Sequence, residues 1–140
     1  MAPYETVLLA NSDDVSATDT SSRVTEDVQQ AFVGYVRAGD GLLAAHSGTG
    51  YAKKPVIRGP IGGAFIRHME QCPVTVDPQE GRPLTGGRSP LTLRDEHYLT
   101  ELDDSEADGF MATPSEHGSE PGGWIRPRAM GVSLCADAWS

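Results

Sequence analysis

The first third of the chain places an amphipathic segment between two apolar ones. The run "YETVLLA" at Tyr4–Ala10 predicts a buried strand, and "GLLAAH" at Gly41–His46 predicts a second. Between them, apolar residues recur at spacings of three and four, which predicts a helix over Thr25–Ala38. Thr25 is suited to cap this helix, with acidic residues following in its first turn. The apolar face of the predicted helix consists of Val28, Ala31, Phe32, Tyr35 and Val36.

The order of these segments indicates the fold class. Uniformly apolar strands joined by a helix are typical of a βαβ unit, in which a parallel sheet is covered on both faces. We therefore predict a three-layer α/β fold with a mostly parallel sheet, in which strand Gly41–His46 is central and parallel to strand Tyr4–Ala10. Later segments predict short strands, namely "CPVTVD", "LTLRDEHYLTEL", "GFMATP", "GGWIRP" and "MGVSLCA". A chain of 140 residues suits one domain spanning residues 1–140.

Charge and cysteine content narrow the partners and the compartment. The formal net charge of −9 repels phosphate backbones and anionic membranes, so we expect no nucleic-acid or membrane partner. No apolar run approaches the roughly 18 residues of a membrane span. Cys72 and Cys135 lack a CxxC spacing, and the chain start is too acidic for a signal peptide. These features predict a cytoplasmic protein with two free thiols, although one disulfide would also be compatible with the count.

Several polar side chains follow predicted strands. His46 and His117 do so, as do Asp13 and Asp14 after the first strand. In open parallel sheets, ligands bind outside the carboxyl ends of the strands, so these side chains are candidates for one shared site. The alternative is that each of them only caps a loop. His97 is a weaker candidate, and the histidine spacings contain no zinc motif, so no cofactor is expected and metal binding stays open.

Three further sequence features are candidate functional motifs. Ser47 follows His46 directly, but neighbours on an extended chain point in opposite directions, so a Ser–His hydrolase pair is not expected. Glu96 is a candidate general base or metal ligand, although a charged strand residue is commonly just solvated. An acidic loop beginning at Asp104 resembles a calcium loop, but Ser115 stands where the bidentate glutamate belongs. Calcium is therefore not predicted.

Five motifs in order resemble one known family. The segments are "YVRAGDGLLAAHSGTG", "GGAFIRH", "VTVDPQEGRPLT", "LRDEHYL" and "EHGSEPGGWIRP". Together they resemble the trehalose-utilisation, or ThuA-like, family over nearly the whole chain. The resemblance implies a flavodoxin-like α/β fold related to class I glutamine amidotransferases. Those enzymes carry a cysteine nucleophile on the elbow after the equivalent strand, whereas His46 stands there in this chain.

The resemblance also assigns pocket positions. His46, His68 of the "GGxFxxH" segment and Glu96 of the "DExY" segment would line the family's pocket. The chain departs from the family pattern at Arg82, where a histidine is usual, and at Met69, where a proline is usual. It departs again near its end, where Cys135 and Ala136 stand in place of Gly-His. The family's first strand and helix would precede Met1, which implies an N-terminally shortened domain with an uncovered sheet flank.

Three functional hypotheses follow. In the first, the protein acts on a carbohydrate such as trehalose or a keto-disaccharide, with His46 and Glu96 as acid/base groups. Substrate-binding roles then fall to Asp13, Ser47, His68 and His117. In the second, it is a non-catalytic sugar-binding or assembly module with a degenerate site. In the third, it is a truncated product that survives only as an oligomer. Uncovered apolar sheet also predicts a homodimer, since twofold dimers are the commonest oligomers.

Overall fold

The computed structural model describes residues 5–16, 18–103, 107–127 and 132–136, the last group by its backbone only. Its elements, in chain order, are β1 Thr6–Leu9, α1 Glu26–Arg37, β2 Gly41–Ala45, a 3-10 helix His46–Thr49, α2 Pro55–Ile61, β3 Gly63–Pro78, β4 Leu91–Leu102, β5 Asp108–Ser115, β6 Gly118–Pro127 and β7 Val132–Ala136. The acidic loop beginning at Asp104 lies partly outside the described residues. No helix in the described ranges has the length and apolar character to span a membrane.

The strands form one mixed sheet in the order β1-β2-β7-β6-β5-β3-β4. Parallel pairing joins β1 to β2 and β2 to β7, whereas β7-β6, β6-β5, β5-β3 and β3-β4 are antiparallel. The prediction of a mostly parallel, flavodoxin-like sheet is therefore wrong. Strand β2 is parallel to β1, as predicted, but it lies second from one edge of the sheet and not at its centre.

The antiparallel part of the sheet arises from a long hairpin in the middle of the chain. The sequence predicts only a short strand from Cys72 to Asp77 there, yet β3 runs for 16 residues and pairs along its length with the 12-residue β4. Hairpin pairing of this kind depends on contacts between distant residues, which hydrophobic periodicity does not report. Two bulges interrupt the β3-β4 ladder, between Phe65 and Arg67 and between His68 and Gln71.

Helix α1 is stabilised by the capping and charged residues at its two ends. The Thr25 side chain accepts a hydrogen bond from the Val28 backbone N–H, and Glu26 and Asp27 occupy the positively polarised first turn. Arg37 stands in the last turn, and Gly39 follows with a φ of 102°, a conformation that glycine adopts without strain. The predicted helix is confirmed.

The core lies between the two helices and the adjacent part of the sheet. Its buried members are Val24, Val36, Leu42, Ala44, Tyr51, Ile57, Ile61 and Trp124. Trp124 comes from antiparallel β6, is fully buried, and donates a hydrogen bond from Nε1 to the Ile61 carbonyl at 2.9 Å. This side chain joins the antiparallel strands to the helical layer.

The second face of β1 and β2 is not covered by either helix. Leu42 and Ala44 are buried in the core, whereas Leu8, which pairs with Leu43, is 60% exposed. In the described residues both helices contribute to the same core, so the predicted three-layer arrangement is wrong as well. The exposed Leu8 is compatible with the expected homodimer, which stays a prediction that light scattering would test.

Candidate functional site

The carboxyl end of β2 turns sharply at His46. This residue has a φ of 52°, which no other non-glycine residue in the described part of the chain shares in sign. A left-handed conformation at a residue with a side chain is strained, and such strain is concentrated at functional sites. Gly48 makes the turn possible, since a Cβ there would lie 1.9 Å from the Leu9 carbonyl oxygen at the end of β1.

The same turn brings His46 and Ser47 together. The His46 Nδ1 and the Ser47 Oγ are 2.8 Å apart, within hydrogen-bonding distance. The expectation that these neighbours point in opposite directions is therefore wrong, because the chain leaves the extended conformation at His46 and enters a 3-10 helix. The Thr49 hydroxyl closes the turn by donating to the His46 carbonyl at 3.0 Å.

Tyr98, on β4, is the side chain around which the site is arranged. Its ring centroid lies 6.3 Å from that of His46, 5.3 Å from Phe65 and 6.0 Å from His68. The Tyr98 hydroxyl donates a hydrogen bond to Glu96 Oε2 at 3.1 Å. Glu96 and Tyr98 are two residues apart on one strand, so both project from the same face of the sheet.

His68 adds a second partner for Glu96. It pairs with Tyr98 in the β3-β4 ladder, and its Nδ1 lies 3.6 Å from Glu96 Oε1. The same nitrogen is 3.2 Å from the Met69 carbonyl oxygen. The His68 and Glu96 side chains are 49% and 36% exposed, so water screens an ion pair between them and its contribution to stability is small.

A cavity of about 310 Å³ opens between the turn and β4. Its lining consists of Ser12, Asp14, His46, Ser47, Gly50, Phe65 and Tyr98. A larger cavity of about 470 Å³ lies elsewhere, and its lining contains neither a histidine nor a carboxylate. The smaller of these two cavities therefore combines room for a ligand with groups able to transfer protons.

The remaining predicted site residues lie elsewhere. Asp13 holds the loop after β1: its carboxylate accepts from the Ser22 hydroxyl at 2.8 Å and pairs with Lys54 at 3.4 Å. A substrate-binding role for Asp13 gains no support from this position, whereas its neighbour Asp14 lines the cavity. His117 lies in the turn between β5 and β6, where its ring stacks on that of His97 at 6.3 Å.

Tyr51 stabilises the region of the turn by a buried hydrogen bond. It is buried, and its hydroxyl donates to the Asn11 carbonyl at 2.7 Å, linking the segment after the turn to the segment after β1. Burial raises the pKa of the Tyr51 hydroxyl, and the negative charge of Asp13 raises it further, while Arg23 acts in the opposite direction. The hydroxyl therefore stays protonated and keeps donating to Asn11 at neutral pH.

Sequence reasoning missed the residues that build the walls. Phe65 and Tyr98 both lie within candidate motifs, "GGAFIRH" and "LRDEHYL", beside the titratable side chains that the sequence predicts as site residues. The available signal was spacing. Tyr98 stands two residues after Glu96, which on a strand places both on one face.

Comparison with known proteins gives a family match over most of the chain. Residues 1–135 match the family model for trehalose utilisation, ThuA. No curated protein sequence matches the chain. Among solved structures, a ThuA-like protein from Parabacteroides merdae superposes with a TM-score of 0.72 at 15% identity, over 96% of this chain and 60% of that one. One from Bacteroides uniformis gives 0.70 at 16% identity, over 96% of this chain and 59% of that one.

A further similarity is to part of a larger enzyme. The β-galactosidase from Rahnella sp. R3 superposes with a TM-score of 0.72 at 16% identity, over 96% of this chain but only 20% of that one. Sequence identities this low indicate a shared fold only. The chain spans about three-fifths of the length of the two ThuA-like structures. With the family model covering nearly the whole chain, this protein belongs to the trehalose-utilisation (ThuA) family.

Proposed function

We propose that the cavity beside His46 binds a carbohydrate and that His46 transfers a proton there, at a carbon next to a sugar carbonyl. The observation that carries the proposal is the strained turn, which presents His46 beside Tyr98 at the carboxyl end of a parallel strand. The family's link to trehalose utilisation supplies the substrate class, a trehalose-like disaccharide or its keto form.

The walls of the cavity suit a sugar. The rings of Phe65 and Tyr98 offer apolar faces, and Tyr98 adds a hydroxyl. Asp14, Ser12 and Ser47 offer groups that hydrogen-bond sugar hydroxyls. A volume of about 310 Å³ is at the lower end of the ~300–1,000 Å³ typical of ligand pockets. The cavity therefore suits one sugar ring, with the rest of a disaccharide at its mouth.

The hydrogen bonds of the site support a role for each of three residues, His46, Ser47 and Glu96. Histidine is the side chain whose charge changes most readily near neutral pH, which suits proton transfer. Ser47 holds the Nδ1 of His46, so Nε2 is the nitrogen left for the substrate. Glu96 holds the Tyr98 hydroxyl and faces His68, which makes it a positioning residue for the tyrosine.

Hydrogen exchange at carbon tests the proposal directly. The protein is incubated with keto-trehalose in D2O, and proton NMR follows the signal of the carbon-bound hydrogen next to the carbonyl. We expect the wild type to exchange this hydrogen faster than buffer does and His46→Ala to lose the acceleration. Tyr35→Phe, which removes a hydroxyl from helix α1, serves as the control and should exchange like the wild type.

The same samples separate catalysis from binding. A sugar that raises the melting temperature of the wild type but not of His46→Ala, without any accelerated exchange, would leave a binding module and contradict the proton-transfer step. Absence of both effects for trehalose, glucose and their keto forms would contradict the proposal as a whole.

A further inference from the structure

A second group of reactive side chains lies apart from the cavity at His46. Cys72 is buried on β3, and Glu116 and His117 occupy the turn between β5 and β6. One donor atom from each of these three residues lies within 4.8 Å of the other two. We name this group the Cys72 cluster.

The sheet itself assembles the Cys72 cluster. Strand β3 pairs antiparallel with β5 at Asp77↔Ala112 and Pro78↔Met111. Continued backwards along β3, this register brings Cys72 opposite the turn that contains His117. The neighbouring β4 places Glu96 and Tyr98 on one face and His97 on the other, because side chains alternate along a strand.

A buried imidazole beside the cluster supplies an independent observation. His97 is 1% exposed, stacks on His117 with ring centroids 6.3 Å apart, and lies with its Nδ1 2.7 Å from the Ser115 Oγ. The same Oγ accepts a hydrogen bond from the His117 backbone N–H at 3.0 Å. The His97 Nε2 is buried and has no hydrogen-bond partner among the described residues. A polar atom in this condition indicates that a group able to satisfy it belongs nearby.

We propose that Cys72, Glu116 and His117 bind a Zn²⁺ ion. A thiolate, an imidazole and a carboxylate together are a borderline-soft donor set that favours zinc over magnesium or calcium. Three protein ligands leave one position of a tetrahedral ion for water, and such a water is a candidate partner for the His97 Nε2. Zinc–ligand distances of about 2.0–2.3 Å require the donor atoms to approach one another by up to about an ångström. Glu116 and His117 lie in an exposed turn, where their side chains can make that adjustment.

Ser115 has a positioning role in this site. Its hydroxyl connects the His97 ring to the backbone of His117 and so fixes the turn that carries two of the three ligands. Groups that orient metal ligands in this way typically change metal affinity about 10–100-fold when removed. Neither Ser115 nor the three ligands line the cavity at His46.

Cobalt titration of the full chain tests the site. Co²⁺ replaces Zn²⁺ and reports a bound thiolate by a charge-transfer absorption, and it reports tetrahedral geometry by the intensity of its visible bands. We expect both signals in the reduced wild type and their displacement by Zn²⁺. Cys72→Ser should lose the charge-transfer absorption. His117→Gln and Glu116→Gln should each weaken Co²⁺ binding at least about 10-fold, the lower limit typical for loss of a group that only orients a ligand.

Matched variants make the outcome decisive. Cys135→Ser removes the other thiol of the chain and Glu80→Gln neutralises another exposed carboxylate, and both should bind Co²⁺ like the wild type. His117→Gln changes a turn residue, so circular dichroism should show a native fold even if Cys72→Ser is destabilised. No thiolate absorption in the wild type, its loss in Cys135→Ser instead of Cys72→Ser, or unchanged affinity in both turn variants would overturn the proposal.

Discussion

The parallel and antiparallel parts of the sheet contribute differently to the cavity at His46. The parallel part, β1 and β2 with the helices against them, supplies a strained turn held in place by close packing at Gly48. The antiparallel hairpin of β3 and β4 supplies Phe65 and Tyr98 to the cavity lining, and His68 and Glu96 contact Tyr98. One part thus supplies the strained turn and its polar side chains, and the other supplies the aromatic walls of the cavity.

Removing the contact that joins the two parts should have the largest effect. Trp124→Ala deletes the fully buried β6 side chain and its bond to Ile61, and we expect a loss of about 3–5 kcal/mol in the free energy of unfolding. Urea denaturation followed by circular dichroism measures it. Leu91→Ala, at a 59% exposed position, should stay within about 0.5 kcal/mol of the wild type. Equal effects in the two variants would show that Trp124 does not join the parts.

The hairpin's contribution is tested at Tyr98. Tyr98→Ala removes the ring between His46 and Phe65, and we expect sugar binding to weaken at least about 10-fold, or roughly 1.4 kcal/mol. Tyr98→Phe keeps the ring but releases Glu96, so its loss should be smaller. Calorimetry with the sugar that most raises the melting temperature gives both values. A larger loss in Tyr98→Phe than in Tyr98→Ala would contradict a stacking role for the ring.

The strained turn is tested by relieving it. His46→Gly places the residue that tolerates positive φ at this position, and we expect a gain of about 1 kcal/mol in the free energy of unfolding. Ligand binding should be lost in the same variant. His46→Ala also removes the imidazole but keeps a Cβ in the strained conformation, so it should not show the gain. Equal stabilities of the alanine and glycine variants would mean that the turn stores no strain.

The smallest expected effect is on pH dependence. The pKa of Tyr51 is raised in the folded protein above the unfolded value of about 10, so its contribution to stability is complete below that pH. It is lost as the pH rises through the folded pKa. Tyr51→Phe lacks the Asn11 hydrogen bond and should be about 1 kcal/mol less stable at pH 7. Because Tyr51→Phe has no hydroxyl to titrate, its melting temperature should fall less steeply than that of the wild type between pH 9 and pH 11. This window surrounds the reference tyrosine pKa of about 10.

Local signals were sufficient for some of this structure and not for the rest. Helix α1 was predictable because its cap, its charges and its apolar face all depend on residues close together in the sequence. The turn at His46 was suggested by an apolar strand followed by glycines. The mixed sheet was not predictable, because the pairing of β3 with β4 joins residues that are well separated in the chain. The pairs run from Val76 with Leu91 at one end of the ladder to Gly63 with Leu102 at the other. Tyr98 was missed because an aromatic residue in a strand is usually part of a core.

The bulge between His68 and Gln71 reverses the sheet face on which the following side chains of β3 project. His68 is opposite Tyr98, whereas Cys72 is opposite Asp95, two residues from His97 on the same face. Without the extra residue, His68 and Cys72, four positions apart, would project from the same face. In evolutionary terms, deletion of a single codon at Met69 would bring Cys72 to the face of Tyr98 and leave His117 without its thiol. One inserted residue is therefore enough for a single strand to present His68 on the face of Tyr98 and Cys72 on the face of His97.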